Sequence, residues 1–450
     1  MTTSTAVMVA ETTACGQMMP APTWRSTVLL FIVVWVAFAA TSLGVLHAHG
    51  WITDFSAFTD FSARRVLDGQ VPYRDFWTMY APGSMYVLAG AFAVFGREHI
   101  VSQVLAMTTT ALAVVCLYRL AARLVSVPAA VGVALLFAVA FYHSAYHSYF
   151  STYPPAVLCL WIGAAQIASF VQCHSTRHLV LAGGCFGLLA LFKHDMGAYA
   201  CLSGAAALLL VPQAPGAPSR GFGARIGSVC GLAICVVLTM LPVTVALLLA
   251  TGRHMVHDLV IYPLTDFRYA RGESFPTLWP SYDFPTWQHA AKGLTGWFVQ
   301  HVPLVVVAFS LPGLWHRRRQ FNSRQAAILL YALGALVLFC FAASVQVNTH
   351  LVTLTALAAL LAAASAFGPA GSWPARRGVR RVVWVVMAVW VFGLGAEPGY
   401  RMIERWTRPR EFVGVDGLRG VRVFSDEAQW LRQCLICPLR PCTRCAYALR

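Results

Sequence analysis

The chain has 450 residues, 58% hydrophobic and only 11% charged, with a mean hydropathy of +0.64 and a formal net charge of +16. Soluble domains carry roughly 25% charged residues, so the composition excludes an ordinary water-soluble enzyme, and its apolar weight excludes a disordered chain. The basic balance would suggest nucleic acid in a soluble protein, but no basic face or nucleic-acid-binding motif accompanies it; no nucleic-acid partner is expected, and the excess reads as the topology signal of a membrane protein.

A membrane-crossing helix needs about 20 mostly apolar residues, because no backbone group can go unpaired in hydrocarbon. The segment 1–26 holds Glu11 and Pro20 to Pro22 and lacks a short apolar core with a cleavage site, so it reads as a cytoplasmic tail. Predicted spanning helices then run over 27–47, 101–120, 128–142, 153–172, 178–192, 197–211, 225–250, 297–315, 325–345, 350–367 and 381–396. The expected fold class is an all-α polytopic membrane protein of about 11–13 transmembrane helices, its external loops carrying juxtamembrane helices. The membrane domain covers 27–396, with large external loops at 48–80 and 251–296, and 397–450 forms a short external tail.

Charge assigns the sides. Arg25, Arg119 with Arg123, Arg177, Arg220 with Arg225, Arg317 to Arg319, and Arg376 to Arg381 mark cytoplasmic ends. Every Asp and Glu except Glu11 falls in the complementary stretches. Parity then bears on the short apolar stretch from Pro82 to Phe95. A full crossing there would invert every later assignment, so it reads as a re-entrant or interfacial helix, or else one other short helix is miscounted.

Chemistry concentrates in the first external loop, where Asp54, Asp60, Asp68 and Asp75 stand among aromatic residues. Carboxylates at a bilayer surface serve as general bases, metal ligands or solvated charges. Asp54 stands closest to the helix end, where an apolar neighbourhood tunes basicity. Lys193, His194 and Asp195 interrupt two apolar segments, and Lys193 and Lys292 are the only lysines. An ionisable cluster at membrane depth is functional by default, although an external hairpin snorkelling into water has the same residues. His143 and His147, with Tyr142, Tyr146, Tyr149 and Tyr153, read better as an interfacial aromatic belt than as a metal pair, since no third ligand accompanies them. Cys434, Cys437, Cys442 and Cys445 are too closely spaced for a zinc ribbon and suit disulfides in an oxidising compartment better, with an altered or truncated reading frame as the other reading of this tail.

The order of motifs resembles the GT-C superfamily of polytopic glycosyltransferases, in the bacterial branch related to protein O-mannosyltransferases and the lipid A aminoarabinose transferase. The resemblance rests on Asp54, Phe58, Arg64, Arg65, Leu67, Gly69, Pro72 to Phe76, and Pro82 with Gly83, followed by the element from Gly183 to Tyr199. It implies transfer of a sugar from a polyprenyl-phosphate donor to an acceptor hydroxyl at the external face of a bacterial inner membrane. The acceptor would be a cell-envelope glycan, lipid or protein. No metal or other cofactor is implied.

By the same resemblance Asp54 is the general base, and Arg74, Lys193 and His194 hold the donor phosphate. Asp60, Asp75, Asp195, Gln346 and His350 act in acceptor binding or support. The chain departs from the family pattern in having Tyr80-Ala81-Pro82 in place of a Lys before paired prolines, Tyr153 in place of an acid, and Gln346 in place of a base. Two other readings stand beside this one. A multi-pass transporter or lipid flippase would carry ionisable residues deep in several helices, and a catalytically inactive scaffold would keep the fold without the phosphate clamp.

Overall fold

The computed structural model describes residues 22–44, 57–143, 148–211, 221–265, 321–343 and 347–367, scattered positions within 305–315 and at 385 and 388, and the strand pair 410–412 and 422–424. Helices α1 (Trp24–Ser42), α2 (Ala57–Leu67), α3 (Gly83–Phe95), α4 (His99–Ala121), α5 (Val127–His143) and α6 (Tyr153–Cys173) form the first half. Then come α7 (Thr176–Phe192), α8 (His194–Leu210), α9 (Phe222–Thr251), α10 (Ser323–Ala343) and α11 (Val347–Phe367). The polar interval after 251 begins as helix, since short helical turns carry the chain on from Arg253 to Leu264. In the tail, β1 (Arg410–Phe412) and β2 (Arg422–Phe424) pair antiparallel.

Among the described residues, α1, α4, α6 and α9 are long and apolar enough to cross a membrane, and α3, α5 and α7 are shorter apolar helices. Their outward faces carry no polar counterweight: Leu29, Ile32, Val33 and Val36 on α1 and Val237, Leu238, Leu241 and Leu249 on α9 are all exposed. In water such a surface would drive aggregation, whereas lipid solvates it. Pro242 inside α9 fits that setting too, because tertiary contacts in a membrane bundle compensate the lost backbone bond. The core is filled by aromatic and small side chains, with Phe137 edge-on to both Phe141 and Trp161, and Phe186 stacked on Tyr331.

Small residues set how closely the helices approach. A Cβ on Gly187 would lie 2.6 Å from Thr239 Cβ and 2.9 Å from the Val236 carbonyl oxygen, and one on Gly183 would lie 2.3 Å from Cys235 Cβ. These glycines are therefore the contact line of α7 on α9, the close approach typical of membrane helix pairs.

The described acids of the helical region gather at one end of the bundle. At one end, Gly44 N donates to Gln103 Oε1 at 2.9 Å and Gln103 Nε2 to Ser42 O at 3.2 Å. At the other, Tyr118 Oη lies 3.4 Å from Ser26 Oγ, so α1 and α4 run antiparallel. The first end gathers Asp60, Asp68, Asp75, Glu98, Asp195 and Asp258; the second gathers Arg25, Arg119, Arg123, Arg177, Arg225 and Arg324. They are called here the acidic end and the arginine end. The tail strand β2 joins the acidic end, where Arg422 N donates to Gly44 O at 2.7 Å.

Helix α3 has both of its ends at the acidic end, so it lies across the bundle instead of through it. Its first residue, Gly83, abuts Leu191 at the end of α7, while Phe92 near its last turn packs with Ala63, Ala106 and Phe150 beneath the Arg64 guanidinium.

Asp60 locks this layer to the bundle. It is 7% exposed, accepts from His99 Nδ1 at 2.5 Å and from Ser102 Oγ at 2.7 Å, and Ser102 Oγ in turn accepts from Phe150 N at 3.0 Å. Replacing the carboxylate strands two buried polar groups, His99 Nδ1 and the Ser102 hydroxyl. Asp60→Ala is expected to destabilise the protein by about 3 kcal/mol, seen as a lower Tm in detergent.

Candidate functional site

The acidic end is built from two layers, the α2 to α3 loop and the break between α7 and α8. The run Pro72 to Phe76 folds into a knot: Tyr73 is held at φ +67°, its N–H donates to Phe76 O at 2.9 Å, and its hydroxyl donates to Tyr80 O at 2.7 Å. A positive φ in a bulky residue persists only where its surroundings over-determine it. Here Tyr73 is buried against Leu247 and Met255, and that burial raises its phenol well above the ordinary value. Next to it, Trp77 meets Tyr262 edge-on at 5.1 Å, so the first loop packs on the helical turns after α9.

Arg74 and Asp75 form a bidentate pair on this knot, with Nε to Oδ1 at 3.0 Å and a terminal nitrogen to Oδ2 at 2.9 Å. Asp75 also accepts from Val71 N at 2.7 Å. The Arg74 bond, then the Val71 N–H, hold its carboxyl down at about 2. A carboxylate so well satisfied is a weak base. Arg65 braces the same knot, lying 4.7 Å over the Phe76 ring and donating to Asp75 O at 3.0 Å.

Between α7 and α8 the helix is interrupted by Lys193 alone, in an extended conformation with φ −152° and ψ 99°. Gly197 makes this hairpin feasible: a Cβ there would fall 2.4 Å from Ala190 Cβ and 2.7 Å from Ala190 N. The Lys193 side chain is 13% exposed, with Nζ 3.2 Å from Asp195 Oδ2 and 5.0 Å from the centre of the Tyr153 ring. Burial by itself would lower the ammonium, yet the Asp195 carboxylate and the Tyr153 phenol outweigh it and hold Lys193 above its ordinary value. His194 follows with Nδ1 buried and without a hydrogen-bond partner among the described residues.

The structure thus brings Lys193, His194, Asp195 and Tyr153 into one cluster, and places Arg74 with Asp75 on the neighbouring loop. Asp60 is occupied by His99 and Ser102. Asp54, Gln346 and the side chain of His350 lie outside the described residues, as do His147, the loop beyond Asp266 and the C-terminal cysteines. The contact of Lys193 with Tyr153 and the Asp60 network were not foreseen. A signal existed for the second: His99, Ser102 and Gln103 form an i, i+3, i+4 polar stripe on an otherwise apolar helix.

The two layers meet at Gly83. A Cβ there would lie 2.6 Å from the Leu191 carbonyl oxygen and 2.9 Å from its carbon, two residues before Lys193. The neighbour is backbone and cannot swing aside. Gly83→Ala is expected to cost about 1–3 kcal/mol through overpacking. The check is a Tm comparison with Gly90→Ala, a substitution into open space that should leave Tm unchanged.

No family model matches the sequence, and no curated protein matches it. Solved structures do. The chain is similar to ArnT from Cupriavidus metallidurans bound to undecaprenyl phosphate, at 14% identity and a TM-score of 0.50, over 84% of this chain and 77% of that one. It is also similar to the archaeal oligosaccharyltransferase AglB from Archaeoglobus fulgidus in complex with an inhibitory peptide and a dolichol-phosphate. That match has 14% identity and a TM-score of 0.46, over 84% of this chain and 56% of that one. The likeness to the first shows the fold: the chain shares the polytopic helical architecture of that protein.

Proposed function

We propose that the protein is a membrane glycosyltransferase that moves a sugar from a polyprenyl-phosphate donor to an acceptor hydroxyl. The acidic end would face the outside of a bacterial inner membrane, with the arginine end in the cytoplasm. The observation that carries the reading is the half-buried Lys193, paired with Asp195 at a helix break beside His194 and Tyr153. It stands in a fold shared with a protein solved with undecaprenyl phosphate. An apolar tail carrying one phosphate suits such a place: the tail stays in lipid while the phosphate meets a fixed cation at the membrane surface.

Transfer requires two things. The acceptor hydroxyl must lose its proton as its oxygen attacks C1 of the sugar, and the C1–O bond to phosphate must break with its electron pair left on the phosphate. Asp54, in the segment between α1 and α2, is assigned the first task as general base. Lys193 and His194 are assigned the second, stabilising the charge that grows on the leaving phosphate, with Arg74 as a further cation on the adjoining loop. Direct displacement inverts the anomeric carbon. Asp75 supports Arg74, and Asp195 keeps Lys193 protonated.

The test is transfer by the purified protein from synthetic polyprenyl-phosphate sugars to a lipid or peptide acceptor. Release of free polyprenyl phosphate in step with acceptor glycosylation is the expected result. Substrate-dependent uptake into vesicles without transfer would instead favour a transporter, and donor binding without turnover an inactive scaffold. Lipid-linked sugars profiled in cells with and without the protein would name the donor by its accumulation.

A further inference from the structure

A second polar cluster sits at the arginine end, away from the residues assigned to transfer. Arg324, in the first turn of α10, is 8% exposed. Its terminal nitrogens donate to Gln172 Oε1 at 3.0 Å and Ser169 Oγ at 3.2 Å, both on α6. Gln325 Nε2 donates to Arg123 O at 3.1 Å, which seats α10 against the turn between α4 and α5. Arg123 is half-buried, and one of its terminal nitrogens is buried without a hydrogen-bond partner among the described residues. Arg324 and Arg119 both act on Arg123 by like-charge repulsion, and His178, 2.7 Å from Gln166 Oε1, feels Arg177, Arg324 and Arg123.

Positive-inside bias explains arginines at this end, but exposed ones would satisfy it equally. Bringing two guanidiniums together beneath the surface is unfavourable without a counter-charge. The sequence offers almost none: the stretches 1–25, 119–127, 173–178, 211–225, 316–325 and 368–381 contain Glu11 as their single acid. The described acids of the helical region lie at the opposite end. Among the described residues no acid stands at this end to compensate them, and an anion from outside the chain would. Guanidinium forks match phosphate oxygens bidentately. The cluster lies where α4, α6, α7 and α10 begin or end, the depth of lipid headgroups, and basic pockets between membrane helices on the cytoplasmic side recruit anionic lipids.

We propose that this cluster is a binding site for a phosphate-class anion, gripped by Arg123 and Arg324 with the exposed Arg119 and Arg177 at its rim. In the membrane its occupant is the headgroup phosphate of an anionic phospholipid. The site is separate from the transfer reading and stands or falls without it.

The full-length protein, purified in neutral detergent, is mixed in turn with cardiolipin, phosphatidylglycerol, phosphatidylcholine or inorganic phosphate. Lipid retention is read by native mass spectrometry and stability by Tm. Cardiolipin and phosphatidylglycerol are expected to stay bound and raise Tm, and phosphatidylcholine to do neither. Arg123→Gln should cut retention about tenfold, the effect of losing one charge-assisted contact. If that variant fails to fold, the rim double variant Arg119→Gln/Arg177→Gln, altered only at exposed positions, is expected to reduce retention severalfold. Inorganic phosphate that raises Tm by itself and displaces cardiolipin would keep the anion site but overturn the lipid as its occupant. Equal retention of phosphatidylcholine, or undiminished cardiolipin binding in the folded variants, would overturn the site.

Discussion

Asp54→Asn is expected to lower transfer from a polyprenyl-phosphate sugar by about 10²–10⁴, the usual contribution of a positioned general base, while donor binding stays near that of the wild type. Asn keeps the size and hydrogen-bonding reach of the side chain but cannot take a proton, so the loss belongs in turnover and not in donor affinity. The other loop acids make the comparison sharp because the structure gives each of them other work. Asp75 is bound by Arg74 with its carboxyl held at about 2, and Asp75→Asn should weaken that pairing without removing a base. Asp60 is buried between His99 and Ser102, so its loss should be read first in Tm. Turnover retained in full by Asp54→Asn, with a large loss in Asp75→Asn or in a stably folded Asp60 variant, would move the base elsewhere.

What the sequence made legible was chiefly what the bilayer enforces. Apolar length marks α1, α4, α6 and α9, and the confinement of the acids to one end of the helical region tells the two ends apart. Parity left the stretch from Pro82 to Phe95 either not crossing or offset by a miscounted short helix, and α3 has Gly83 at Leu191 and Phe92 at Ala63. The site was less legible because its side chains are positioned by contacts distant in sequence. Nothing near Lys193 announces that Tyr153 lies beneath its ammonium, and nothing in the first loop says that Asp60 is bound by a residue 39 positions later. The glycines of the Gly183 to Tyr199 element looked like part of a functional motif. Gly183 and Gly187 act through packing on α9, and Gly197 through the tight hairpin that presents Lys193. Tyr73 shows the same limit, since a left-handed tyrosine is stable only with Leu247 and Met255 closing over it.

Lys193→Met is expected to reduce turnover by about 10²–10³, comparable to removing one preorganised donor from a developing anion, and to weaken donor binding as well. Two roles must be separated. Lys193 balances Asp195 at 3.2 Å in a half-buried setting, so its loss also strands a carboxylate and lowers stability. The double variant Lys193→Met/Asp195→Asn removes both charges: stability should return while activity does not, whereas a purely structural lysine would recover both. Lys193→Arg keeps the charge but places a broader planar cation over the Tyr153 ring, so partial activity is expected. The pH dependence gives an independent readout. With Asp195 present, the lysine is held above its ordinary value and stays charged through neutral pH; its contribution is complete below the ordinary lysine range and is lost only as pH rises through the raised value. In Asp195→Asn, burial acts with less opposition, the ammonium deprotonates earlier, and the alkaline limb of turnover should move to lower pH. An alkaline limb that does not move would mean that Lys193 does not carry the charge on which donor phosphate release depends.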